Sequence, residues 1–194
     1  MTYSAAALIV DAYCQTHRTM LAFLQKRSDD ELRWNMASGN PIAWHGWHVA
    51  RWADHFQAAV PGMTAVLGQR LGSGVQIWYS EKIADTWGFP GSNLGYDQTG
   101  MDMPDETARQ LNFPVQVVLL DYVERAFAAA ERAVGAIDAD QFSSREQPQP
   151  MTEGIWGDST VGAAVLSHVT HANRHLGMME ALLGLQSGRG TATR

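Results

Sequence analysis

Apolar positions recur at three- and four-residue spacing through four long stretches of this chain, separated by polar, Gly- and Pro-bearing connections. In residues 4–26 the stripe is Ala5, Leu8, Ile9, Ala12, Tyr13, Thr16, Met20, Phe23 and Leu24, which predicts a first helix. Ser28 and Glu31 then stand in the register of a capping box, so a short helix or turn to about Trp34 should follow. Residues 37–40 read as a loop. Asn40-Pro41 reads as the start of a second long helix, with Asn as cap and Pro in a first turn that needs no N–H. That helix should end at Pro61-Gly62. A third helix is predicted from near Pro114 to about Ile137, with an Ala-rich second half. A fourth should run from Ser159 or Thr160 to near Gly184, a natural left-handed cap.

The least regular stretch, 62–112, holds eight of the 18 glycines and offers one short helical candidate at Ser80–Trp87. A connection of that length within a compact domain is uncommon and often functional. Its Trp78, Tyr79, Trp87, Phe89 and Tyr96 suggest that it packs over the body. Residues 138–158, with Pro148 and Pro150, form another connection. No strand pattern of convincing length and no internal repeat is present. The expected fold is all-α, a four-helix bundle with long crossover connections. It should occupy residues 1–185 as a single domain, followed by a flexible C-terminal tail at 186–194.

Composition narrows the class. The 194 residues are 45% apolar and 18% charged, which suits a globular domain able to bury a core without staples. The net charge of −6, without a basic run, argues against nucleic acid as a partner. No apolar run approaches the ~18–20 residues of a membrane span, and the N-terminus lacks the basic start of a signal peptide. A cytoplasmic protein without membrane partners is expected. The lone Cys14 excludes an intramolecular disulfide and a Cys-cluster metal site, and it reads as a small core residue.

The seven histidines change the picture. His45, His48 and His55 lie among Trp44, Trp47 and Trp52, and His168, His171 and His175 fall within eight residues near the C-terminus. On a helical wheel of the last helix, all three sit in the apolar stripe of Val161, Ala164, Val165, Ala172, Met179 and Leu182. His171 and His175, four apart, share one face and can hold one metal ion. On the second helix Trp44, His48, Arg51, Trp52, His55 and Ala59 share a face, with His45 at its margin. If that face also turns inward, one of its histidines completes a three-nitrogen set with an open coordination position, as catalytic metals have. The tryptophans read as packing residues. Arg51, beside inward histidines, must pair with a carboxylate or await an anionic ligand. Histidines that only hydrogen-bond within the core are the competing explanation.

The run Trp44-His-Gly-Trp-His-Val-Ala-Arg-Trp-Ala-Asp-His55, followed far downstream by His168-Val-Thr-His-Ala-Asn-Arg-His-Leu-Gly177, resembles the DinB/YfiT-like metalloenzyme superfamily. The likeness spans most of the chain, including the Gly/Trp-bearing middle loop. It implies a four-helix bundle holding a divalent metal through His48, His171 and His175, with His45, His55 and His168 as packing or supporting residues. Zinc or nickel comes first as the ion, with iron as a third choice. The family often carries Arg-Gly after its last histidine, where this chain has Leu176-Gly177. The missing arginine's part would fall to Arg174 or Arg51, and Arg51 is the candidate catalytic residue. Relatives with known chemistry resemble thiol-dependent transferases and isomerases that use a low-molecular-weight thiol cosubstrate on a small-molecule substrate. Dimers are common among them, so a homodimer is expected. The related iron-dependent sulfoxide synthases carry an acidic residue where Gly177 stands and a second large domain, so their chemistry is set aside. A non-catalytic bundle that binds a metal or small ligand beneath the 62–112 loop is the alternative function.

Overall fold

The computed structural model describes residues 4–36, 39–145 and 160–188, and the described elements are helical with a single isolated bridge between Arg145 and Thr160. Helix α1 (Ala5–Gln25) is capped by Ser4, whose hydroxyl accepts from the Ala7 N–H at 3.1 Å. Helix α2 (Asp29–Arg33) opens with the expected capping box: Glu31 N–H donates to Ser28 Oγ and Ser28 N–H to Glu31 Oε2. The second long helix, α3 (Ile42–Met63), departs from expectation at both ends. Its N-cap is Pro41, without a side-chain cap, so Asn40 stands one position too early to serve. It also runs through Pro61. A proline in the last turn costs only the bond to one carbonyl, and the fully buried Val60 and Met63 anchor that turn in the core. The helix stops instead at Thr64, an extended residue whose hydroxyl caps the following helix by accepting from Leu67 N–H.

The excursion after α3 is more ordered than its glycines suggest. It contains α4 (Ala65–Leu71), α5 (Ile77–Ser80), α6 (Ile83–Trp87) and α7 (Asp105–Gln110), with a 3₁₀ turn at Tyr96–Gln98. Each helix is seven residues or fewer, too short to show a period. Burial of Leu67, Trp78, Ile83 and Ala108 holds them in place. The chain then forms α8 (Gln116–Gly135), a 3₁₀ turn at Gln141–Ser143, and α9 (Val161–Ser187), capped by Thr160. Gly184 does not end α9. Leu182 and Leu183 still pack on the core there, and the left-handed cap is Gly188. Gln186 and Ser187 are thus helical, while residues 146–159 and the rest of the expected tail, 189–194, lie outside the described residues.

The four long helices make the bundle: α1 and α3 each pack on both α8 and α9. Helix α3 is its central member, with nineteen of its 22 residues buried, including every one from Ile42 to Phe56. The wheel assigned it one inward face. The structure buries the other as well, because α2, α4 and α5 also pack against it. No helix among the described residues is long and apolar enough to cross a membrane.

Candidate metal centre

Because α3 packs on α9, the two histidine segments meet across one helix interface. His48, His171 and His175 bring one ligand atom each within 4.8 Å of one another, a group that could hold a metal ion. His48 Nε2 and His171 Nε2 lie 3.0 Å apart. That is close to the ~3.3 Å edge of a tetrahedron whose nitrogens stand ~2.0–2.1 Å from a central ion. The tautomer of His48 follows from its other nitrogen. Nδ1 lies 2.5 Å from the Thr99 carbonyl, which can only accept, so the proton is on Nδ1 and the Nε2 lone pair is free to ligate. His175 Nδ1 lies 2.9 Å from His45 Nδ1; with the proton on His175 Nδ1 and donated to His45, the His175 Nε2 lone pair is left for an ion. The Trp44 indole stacks on His48 with centroids 4.6 Å apart and planes 13° from parallel, fixing the ring.

Burial keeps these imidazoles neutral. Desolvation, with repulsion between neighbouring rings, holds His45 down at about 3 and drives His48 well below the ordinary value. His171 is held at about 3 and His175 at about 4, again first by burial and then by neighbouring cations, Arg174 among them. Neutral imidazole is the metal-binding form. The donor set therefore fits a divalent ion: among the described residues it offers three neutral nitrogens and no carboxylate, which leave the ion its full charge.

Beside the histidines opens a cavity of about 410 Å³. His48 and His171 stand in its wall with His168, Trp52, Met101 and Arg174. His168 is buried against the Phe56 ring, centroids 4.0 Å apart, and desolvation lowers its pKa well below the usual value.

Arg51, the candidate catalytic residue, does not line this cavity. It is completely buried, and its five N–H groups meet five oxygens. Nε donates to the Gln98 carbonyl, Nη1 to Asp54 Oδ2 at 3.0 Å and to Tyr122 Oη, and Nη2 to Gln76 Oε1 and the Asp97 carbonyl. Of the two fates open to it, it has taken the carboxylate. Asp54 in turn accepts from Tyr122 and from the N–H groups of Ile77 and Trp78 at the start of α5. His55 also turns from the cavity, to the Asp97 carboxylate. Burial would raise that carboxyl, but hydrogen bonds from His55, Gln76 and Tyr79 outweigh it and hold it at about 2.

The loop 95–101 joins the two clusters, and of its residues the sequence pointed only to Tyr96, as a packing residue. The Asp97 and Gln98 carbonyls go to Arg51, and the next carbonyl, of Thr99, goes to His48. Gly100 follows at φ +90°. A Cβ there would stand 2.9 Å from both Trp44 and Trp47 and 3.1 Å from His48 Nδ1, so only glycine lets the loop close on α3. The pair Gly95 and Gly100 around a polar turn was the available signal. Cys14, on α1, is part-buried rather than a core residue, and burial raises its thiol pKa away from nucleophilic use.

A sequence profile described as the DinB superfamily matches residues 12–179, which include both histidine segments. The chain belongs to the DinB superfamily. A solved structure described as a conserved protein from Enterococcus faecalis is similar in fold, with a TM-score of 0.71 over 97% of this chain and 100% of the other at 17% identity. That likeness bears on the DinB fold alone. Curated proteins give no significant match.

Proposed function

We propose that this DinB-superfamily chain is a divalent-metal-dependent enzyme of thiol transfer or a related isomerisation, with His48, His171 and His175 as ligands. The observation that carries the reading is the convergence of three neutral imidazoles, two of them in the wall of a small-molecule-sized cavity. Zinc or nickel suits such nitrogens, with iron a third choice. When bound, the ion lowers the pKa of a low-molecular-weight thiol, so that a thiolate is available near neutral pH. The protein's own residues orient and shield. Thr99 fixes the His48 tautomer, His45 holds the outer nitrogen of His175, Trp44 pins His48, and Trp52 and Met101 give the cavity an apolar wall against water. Such thiols stay reduced in the cytoplasm, where this chemistry belongs, and a homodimer is the assembly expected from the family resemblance.

Metal content by mass spectrometry on untagged protein, wild type beside His171→Ala, tests the site. One ion per chain, lost in the variant, is the expected result, and a wild type that neither holds nor takes up metal overturns it. Cobalt-loaded protein titrated with N-acetylcysteine tests the chemistry. A thiolate-to-cobalt absorption band is expected, with transfer to a bimane electrophile. Metal uptake without band or transfer would leave a non-catalytic metal- or small-ligand-binding bundle.

A further inference from the structure

We infer that the cavity is a subsite for a small organic anion and that Arg174 is the residue that anchors it. This deepens the metalloenzyme reading by naming a substrate class for the same site. The protein carries a net charge of −6, yet among the described residues that line the cavity there is no carboxylate and one permanent cation, Arg174. Its guanidinium makes no ion pair or hydrogen bond with any described residue. Arg51 offers the contrast, with five N–H groups all engaged.

Position gives Arg174 its purpose. It stands three residues after His171 on α9, hence on the same face and about one helical turn away. Ser167, one turn before His171, lines the cavity too, so α9 presents a hydroxyl, an imidazole and a guanidinium in a row. Opposite this polar ridge stand Trp52 of α3 and Met101 of the loop. A ligand that satisfies both walls has an anionic end for the fork of Arg174 and an apolar body for the Trp52 side. A divalent ion at the histidines adds charge of the same sign as Arg174, so the field within the cavity favours anions with or without it.

Calorimetric titration with benzoate and its neutral isostere benzamide tests this, on both zinc-loaded and metal-free protein. Wild type should bind benzoate at least about tenfold more tightly than benzamide, the scale of a charge-assisted hydrogen bond. Arg174→Ala should weaken benzoate roughly ten- to a hundredfold, leaving benzamide binding and zinc stoichiometry unchanged. Arg174→Lys should recover part of the loss, while Arg109→Ala, at an exposed α7 arginine that pairs with Glu106 and does not line the cavity, should do nothing. Benzoate binding equal in wild type and Arg174→Ala, equal affinity for the two probes, or no benzoate binding to either form of the wild type would each overturn the inference. Failure of the wild type to take up zinc, with Arg174-dependent benzoate binding intact, would sink the metal reading alone.

Discussion

Helix α3 carries two buried polar clusters, less than one turn apart, that are finished in opposite ways. Around Arg51 every donor has an acceptor: five N–H groups, the Asp54 and Gln76 side chains, the Tyr122 hydroxyl and two loop carbonyls close on one another. Around His48 the protein supplies partners for the outer nitrogens of His48 and His175, the Thr99 carbonyl and the His45 ring, and brings one nitrogen from each of three imidazoles together. The first cluster compensates a buried charge internally, as burial of an ion demands. The second gathers neutral groups that could hold a cation. Saturation marks a structural device, and a convergence of neutral ring nitrogens marks a candidate site. The two are mechanically joined, because Arg51 fixes the loop whose next carbonyl sets the His48 tautomer.

Acid should separate the clusters most strongly. The imidazoles have folded pKa values below the unfolded ~6.5, so below that pH the unfolded chain binds more protons and stability falls. His45, held at about 3, and His175, at about 4, each contribute about 2 kcal/mol of loss by pH 5. The loss continues down to the folded values, and His48 and His168 add to it in the same direction. Asp97, held at about 2, stays ionised throughout this window and keeps its partners. Urea denaturation of metal-free protein between pH 7.5 and 5 should show this slope. Flat stability across that range would mean the histidines are not buried neutral.

Asp54→Ala should come next, at ~3–5 kcal/mol, because it strands the buried Arg51 charge and the first N–H groups of α5. The chain that remains folded should still bind metal, with weakened affinity through the loosened loop. A cost below ~1 kcal/mol would show that the cluster is solvated. Gly100→Ala should cost ~1–3 kcal/mol, since the new methyl meets two indoles and the backbone sits at φ +90°. It should also lower metal affinity, measured by competition with a chromophoric chelator, because Thr99 must move with it. The smallest effect belongs to His45→Ala, which leaves the three ligands but unties His175, for about a 10–100-fold loss of affinity. Unchanged affinity there would make His45 a packing residue only.

The histidines were legible because helical spacing translates directly into a shared face: His171 and His175 at four-residue separation could only point one way relative to the apolar stripe. The bundle was legible for the same reason, as were the capping box at Ser28 and the Thr160 start of α9. Local rules misplaced the ends at Pro61 and Gly184, where packing of Val60, Met63, Leu182 and Leu183 outweighs a breaker's preference. Arg51 was left between two fates, since of its partners only Asp54 stands at a helical spacing, while Gln76, Asp97, Gln98 and Tyr122 come from three other segments that no spacing connects to it.

Sequence by itself therefore determined which side chains share each helix face, and with them the α-helical class and the histidines that turn inward. Only the tertiary structure decided which of those groups meet. It set α3 against α9 so that three imidazoles converge, closed the Gly100 loop over them, consumed Arg51 and placed Arg174 in the cavity wall without a partner among the described residues. Periodicity is a property of a few successive turns. Whether a donor finds its acceptor depends on segments far apart in the chain, and that is settled only when the core packs.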